Sequence, residues 1–248
     1  MNDRQKDILR LLSRNREISV ADLSSRFEVS GVTIRQDLDS LQRQGLLRRV
    51  HGGAVLQSAD EISSRISINY DRKQAIAEAA LRLVQEGETI FIESGSVNAL
   101  LARQLKERSN ITVVTNNLFI ARTLKNSSVE VITLGGLYQH DSESLVGSVA
   151  RLGLEALNFT TCFIGVDGFT FDTGFTCTDM MRSEVAASAV CKSPQVCVLT
   201  DSSKFGSVAL SRICTLDQVD HLITDSHIPG EYRERLQEYP LTLTVCQA

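Results

Sequence analysis

The stretch Ser30-Gly31-Val32-Thr33-Ile34-Arg35-Gln36-Asp37-Leu38 gathers side chains suited to reading a nucleic acid. Ser30 has the chemistry of a helix N-cap, an acceptor for otherwise orphan N–H groups. After it, Ile34, Leu38 and Leu41 recur at i, i+4 and i+7, giving a helix one apolar face. At 100° per residue the opposite face carries Val32, Gln36, Asp39 and Arg43, with Thr33 and Arg35 on the flanks. In a DNA major groove Arg pairs bidentately with guanine and Gln with adenine, while the helix N-terminus favours a phosphate. Alone, the segment reads equally well as a solvated amphipathic helix.

A second set of chemistry-bearing residues follows a series of β-branched runs: Glu93-Ser94-Gly95-Ser96-Val97-Asn98, Thr115-Asn116-Asn117, Gly135-Gly136, Gly165-Val166-Asp167-Gly168 and Asp201-Ser202-Ser203-Lys204-Phe205-Gly206. Small residues ahead of a helix let backbone N–H groups and hydroxyls approach an anion. Lys204 supplies a cation. Individually, Gly-Gly is ordinarily a turn, and an Asp or Asn at a strand end is ordinarily a helix cap. Converging at the carboxyl edge of one sheet, they form a site for a phosphorylated, polyhydroxylated ligand.

The elements that must position these residues follow from periodicity. Residues 3–14 form a first helix with Ile8, Leu11 and Leu12 on one face. Ser19-Val20-Ala21-Asp22 has the form of a capping box, opening a short helix with Leu23 and Phe27. Three residues, Glu28-Val29-Ser30, separate it from the Arg/Gln helix, which Gly45 ends. Two short helices joined so tightly form a helix-turn-helix. Leu46–Val55 reads as a hairpin around Gly52-Gly53, a wing from which Arg48, Arg49 and His51 reach phosphates or a minor groove. A lone His is more often a surface residue than a reader of bases, so the succession of elements carries the signal.

Residues 57–72 are polar and without clear periodicity, an interdomain linker that is partly helical. Beyond them helices (74–84, 97–105, 118–124, 178–190) alternate with strands (88–93, 111–115, 129–134, 161–166, 195–200, 221–224, 241–245). This pattern indicates a mostly parallel sheet covered on both faces. The expected architecture is α/β: a winged helix-turn-helix at 1–56, the linker, and a larger α/β domain at 73–248.

The 248 residues are 42% hydrophobic and 23% charged, ordinary for a soluble globular protein, and no run approaches the roughly 18 apolar residues of a membrane span. The polar start Met1-Asn2-Asp3-Arg4 is unlike a secretory signal, so a cytoplasmic protein with no membrane association is expected. Cys162, Cys177, Cys191, Cys197, Cys214 and Cys246 form no CxxC pair and sit in aliphatic runs, reading as reduced thiols rather than a zinc site. No metal and no cofactor is expected. The net charge of −4 conceals an asymmetry. Residues 1–55 hold ten Lys/Arg and seven Asp/Glu, a net +3, and the remainder sixteen and twenty-three, a net −7. A basic head on an acidic body is expected where only the head meets DNA.

Residues 1–56 resemble the DNA-binding head of DeoR-type bacterial transcriptional regulators, through Arg4-x-x-x-Ile8, Ser30-x-x-Thr33-Ile34-Arg35-x-Asp37-Leu38 and Arg49-x-His51-Gly52-Gly53-Ala54. One position departs: the family usually has a second basic residue where this chain has Gln36, which bears on base preference rather than docking mode. The resemblance extends through Ser94-Gly95-Ser96, Val114-Thr115-Asn116, Leu134-Gly135-Gly136, Ile164-Gly165-x-Asp167-Gly168, Asp201-x-Ser203-Lys204-Phe205-Gly206 and Ile223-Thr224-Asp225 to the sensor domain of the same regulators. It implies a fold similar to ribose-5-phosphate isomerase and a response to sugar phosphates or related metabolites. It also implies that Ser94, Gly95, Ser96 and Asn98 hold a phosphate while Asp167 and Lys204 face sugar hydroxyls, with Glu184 as a further contributor.

The function expected is therefore a repressor of carbohydrate-related genes. It would bind a double-stranded operator as a homo-oligomer, dimer or tetramer, and answer to a phosphorylated sugar or polyol. The alternative is a sugar-phosphate isomerase with a DNA-binding head, using Asp167, Glu184 and Lys204 for proton transfer and enediolate stabilisation. Against it, no second carboxylate stands beside Asp167.

Overall fold

The computed structural model describes residues 1–55 and 62–247. The chain divides into two compact units, residues 1–71 and 72–248.

In the first unit α1 (Asp3–Asn15) is opened by a capping box between Asn2 and Gln5. After it come β1 (Glu17–Ser19), α2 (Val20–Phe27) and α3 (Gly31–Arg43), then β2 (Arg48–Val50) and β3 (Gly53–Val55). The last two form the expected hairpin, turning at His51-Gly52, since Gly53 already pairs with Val50. β1 was not foreseen; it pairs antiparallel with β3 and completes a three-stranded sheet. Ile8, Leu9, Leu12, Leu23, Ile34, Leu38, Leu41 and Leu46 are fully buried. Asp37 is buried as well, and it accepts from Arg4 Nε at 2.5 Å and Gln5 Nε2 at 2.9 Å, tying α3 to α1.

The helical part of the expected linker is Ile62–Ser67. This helix, α4, packs on α1, buries Ile62 and Ile66, and donates a hydrogen bond from Ser67 Oγ to the Leu46 carbonyl. Only two apolar residues, at i and i+4 among serines, face the core, so the periodicity is too short to mark the helix's bounds. Residues 57–61 of that linker lie outside the described residues.

Helix α5 (Tyr70–Leu81) leads into the second unit. There β4 (Thr89–Ile92), α6 (Ser96–Leu105), β5 (Thr112–Thr115), α7 (Leu118–Leu124) and β6 (Glu130–Thr133) follow the expected alternation. A hairpin, β7 (Leu137–Gln139) and β8 (Ser144–Val146), and α8 (Ser148–Glu155) come next, then β9 (Thr161–Gly165), β10 (Gly168–Thr170), β11 (Gly174–Cys177) and α9 (Met180–Lys192). The chain continues through β12 (Gln195–Leu199), β13 (Ser211–Cys214), β14 (His221–Asp225), α10 (Gly230–Leu236) and β15 (Thr242–Cys246). Seven strands form one sheet in the order β15-β14-β12-β9-β4-β5-β6, and every pairing in it is parallel. Successive residues of β4 and β9 are buried whichever face they point to, so the sheet is covered on both sides. β10, β11 and β13 form a separate antiparallel sheet. From β4 the chain moves to β5 and β6 on one side, then returns to β9 on the other. The order therefore reverses between β4 and β9, and their carboxyl ends open a crevice.

All six cysteines are free, and only Cys191 is exposed. Burial pushes the Cys162 and Cys177 thiols up to about 12 and raises Cys197 and Cys214 as well, so these remain neutral and unreactive. Alkylation of the native chain at pH 8 should therefore label Cys191 within minutes and Cys162, Cys177, Cys197 and Cys214 only on unfolding; rapid labelling of any of these four contradicts their burial. Asp37→Ala should lower the stability of the first unit by about 1–3 kcal/mol, the cost of orphaning its two donors. The check is a thermal or denaturant melt against the wild type. Equal melting of variant and wild type would show that the α1–α3 tie contributes nothing.

Candidate nucleic-acid interface and effector site

Helix α3 begins as the sequence requires. Ser30 Oγ accepts from the Thr33 N–H at 3.2 Å and shares a 2.9 Å hydrogen bond with the Thr33 hydroxyl. With Ile34, Asp37, Leu38 and Leu41 turned inward, Val32, Arg35, Gln36, Asp39 and Arg43 are exposed along one face. Gly31 has a role that residue patterns did not announce. A Cβ there would stand 3.3 Å from Arg35 Nη1, so the absent side chain leaves room for the guanidinium beside the helix N-terminus. On the wing, Arg48 and His51 are exposed. Arg49 is committed to structure: its Nη1 donates to Asp39 Oδ1 at 2.5 Å and its N–H to Gln42 Oε1 at 2.8 Å, pinning the wing to α3.

In the second unit the ends of β4 and β9 meet at two glycines. A Cβ on Gly95 would lie 3.6 Å from the Gly165 Cα, and Gly95 has φ +150, a conformation open to few other residues. Helix α6 starts directly after Gly95 with no side-chain cap, so its first N–H groups, beside the end of β4, have no side-chain acceptor from the cap. Asn98, fully buried, donates from Nδ2 to the carbonyls of Glu93 (2.8 Å) and Phe163 (3.1 Å), bridging the two strand ends, while its Oδ1 has no partner. The expected use of Ser94 needs revision: its hydroxyl donates to Glu93 Oε1 and is not offered to a ligand. Glu93 Oε2 in turn accepts from the Gly165 N–H at 3.4 Å. Ser96, at the first position of α6, is 8% exposed.

Asp167, just past β9, accepts at Oδ2 from the Thr178 N–H (3.0 Å) and hydroxyl (2.9 Å). Arg182, on the first turn of α9, donates to the same Thr178 hydroxyl at 3.2 Å. Burial opposes the charge of this guanidinium. The Cys177 sulfur, Glu93, Asp167 and Asp179 around it more than compensate and raise its pKa. Its Nε is buried with no acceptor, an omission that costs on the order of 1–3 kcal/mol. Sequence patterns missed Arg182, because its place beside Asp167 arises from the turn between β11 and α9. They pointed to Glu184 instead. Two residues on is about 200° around a helix, and Glu184 is exposed on the other side, 3.8 Å from Arg151 of α8.

The remaining expected positions are spread along the same carboxyl edge. Asn116, fully buried, holds β8 through its backbone carbonyl, which accepts from the Leu145 N–H at 2.7 Å. Gly135-Gly136 follows the edge strand β6, two strands from β4, about 10 Å away at ordinary strand spacing. Gly136 and Gly168 serve close packing: a Cβ on either would fall within 2.5 Å of a carbonyl oxygen, of Val146 and Ser207 respectively. Lys204 follows β12, next to β9. It sits beside Asp201, whose burial would raise its carboxyl. Lys73 at 3.9 Å, Ser203 and Lys204 outweigh that burial and hold the carboxyl below its ordinary value. The isomerase trio is therefore not assembled, since Glu184 faces away from Asp167. Among the described residues no group of three His, Cys, Asp or Glu side chains could hold a metal ion, and no helix is long and apolar enough to cross a membrane.

Comparison with known proteins matches both units. Residues 4–60 match the DeoR-like helix-turn-helix domain and residues 68–226 the DeoR C terminal sensor domain. The HTH-type transcriptional regulator GolR of Listeria innocua is 33% identical, with 99% of this chain and 98% of the relative covered. The lactose phosphotransferase system repressor of Lactococcus lactis is 32% identical, with 97% of each covered. Among solved structures, ribose 5-phosphate isomerase A of Methanocaldococcus jannaschii is 19% identical over 55% of each chain, with a TM-score of 0.43. With both of its units matched, and relatives aligned end to end, the chain belongs to the DeoR family of DNA-binding transcriptional regulators.

Proposed function

We propose that this protein represses carbohydrate-related genes by binding operator DNA through the exposed face of α3 and the wing. A phosphorylated sugar or polyol bound where β4 and β9 part then releases it. The observation that carries the effector half is the uncapped N-terminus of α6, opening beside Gly95 and Gly165 at the point where strand order reverses. Asp167 and Lys204 lie on the same edge for the hydroxyls. The name of the Lactococcus relative, a lactose phosphotransferase system repressor, supports the carbohydrate assignment. Ligand binding favours the released form by as much as it binds that form more tightly. A homo-oligomer, dimer or tetramer, presents two heads to half-sites about one helical turn apart.

On the DNA side, Arg35 and Gln36 read bases, while Arg43, Arg48 and His51 meet phosphates, with Ser30, Val32 and Thr33 at the groove. Arg49 acts by holding the wing in place. Arg35→Ala should cost about 1–3 kcal/mol on the specific site and little on random DNA. Fluorescence anisotropy on both DNAs checks this, and an equal loss on the two would make Arg35 a phosphate contact. Ser96→Glu should leave operator binding intact and abolish release by effector, because a carboxylate at the first turn of α6 repels a phosphate. A normal response in that variant would place the phosphate elsewhere.

A further inference from the structure

We infer that Arg182 is the cation that meets the anionic group of the effector, and so selects an oxyanion-bearing ligand over a neutral sugar. This rests on the proposal that the crevice between β4 and β9 is the effector site. Arg182 belongs to α9, yet the acids that surround its guanidinium come from three places: Glu93 at the end of β4, Asp167 at the end of β9, and Asp179 at the start of α9. The guanidinium donates to the Thr178 hydroxyl at 3.2 Å, and that hydroxyl donates to Asp167 Oδ2 at 2.9 Å, which sets Arg182 next to the chain leaving β9.

Those acids set the local charge, and five of their six oxygens accept from other donors. Asp179 Oδ1 caps α9 by accepting from the Arg182 backbone N–H at 2.8 Å, and its Oδ2 accepts from Gln139 Nε2 at 2.9 Å. Asp167 Oδ2 is taken by Thr178, and the two Glu93 oxygens by Ser94 and Gly165. Arg182 thus retains an Nε donor with no acceptor, and the one hydrogen bond its side chain makes ends on a neutral hydroxyl. A guanidinium offers five N–H groups in a planar fork that fits the two oxygens of a phosphate or carboxylate. The first N–H groups of α6, beside the end of β4, likewise have no side-chain cap. Asn98, fully buried on that first turn with an unpartnered Oδ1, adds an acceptor for a ligand hydroxyl. Of the other cations on this edge, Lys73 lies 3.9 Å from Asp201 and Arg72 3.9 Å from Asp225, while Lys204, beside Asp201, is left to the sugar hydroxyls. An anion held between α6 and Arg182 completes a donor set that the protein leaves open, with Asp167 beside it for hydroxyls.

The test is calorimetric titration of the full-length chain with inorganic phosphate, with ribose 5-phosphate against ribose, and with gluconate. The wild type should bind phosphate and ribose 5-phosphate and ignore ribose; binding of gluconate would extend the class to carboxylates, which the same fork accepts. Arg182→Gln should weaken phosphate binding about tenfold or more, the weight of a charge-assisted hydrogen bond. Arg182→Lys, which keeps the charge and loses the fork, should weaken it less. Arg151→Gln removes an equal charge from the exposed surface of α8 and should change affinity less than about twofold. Should Arg182→Gln fail to fold, Arg182→Lys with wild-type affinity for every anion would overturn the inference. If Ser96→Glu abolishes phosphate binding while a folded Arg182→Gln binds as the wild type does, the crevice stands as the site and Arg182 is excluded. If the wild type binds no anion at all, the effector site itself is refuted, and the inference with it.

Discussion

The side-chain amide of Asn98 holds together the place on which the sensor unit turns. Its Nδ2 reaches the carbonyl of Glu93 past β4 and that of Phe163 within β9, two neighbouring strands whose chains depart in opposite directions. Parallel strands whose connections diverge leave a crevice at their carboxyl ends, and here the backbone also joins those ends, the Glu93 N–H donating to the Phe163 carbonyl at 3.0 Å. Asn98 adds a tie with both amide hydrogens, and the Glu93 carboxylate adds another by accepting from the Gly165 N–H. With the ends held, Gly95 and Gly165 can meet closely, α6 can start without a cap, and Asp167 and Arg182 can stand across the opening.

The head uses the same economy with different residues. Asp37 sits on the buried face of α3, where it holds Arg4 and Gln5. Asp39, two residues on and about 200° around the helix, holds Arg49 and with it the wing. Two acids on one helix thus tie α3 to α1 and to the hairpin, while Arg35, Gln36 and Arg43 stay exposed. That arrangement explains how a net acidic chain presents a basic surface, since charge is partitioned between the units and then within the head.

Much of this was legible because local signals and tertiary placement agree. Residues 118–124 match α7, an aliphatic run opened by the Asn117 cap, and residues 97–105 fall within α6. The buried parallel strands stand out as β-branched runs bounded by turn residues. What escaped was non-local. β1 contains a single apolar residue, Ile18, and exists only because β3 is there to pair with it. The short strands β7, β8, β10 and β11 carry too little pattern to announce themselves. Ser94 and Arg49 have the chemistry of ligand contacts, and only the positions of Glu93 and Asp39 show that both are engaged inside the protein. Arg182 and Glu184 are indistinguishable as isolated charges on a helix; the packing of α9 decides which of them faces the crevice.

The most direct measurement is a gel-shift titration of the full-length chain on the DNA upstream of its own gene, with phosphorylated and unphosphorylated sugars and polyols added in turn. The account predicts a sequence-specific complex, weakening with salt at a log–log slope of about −0.9 per neutralised phosphate, that one phosphorylated compound dissolves and its unphosphorylated counterpart does not. No specific complex at low salt, or release by the unphosphorylated compound alone, would contradict it.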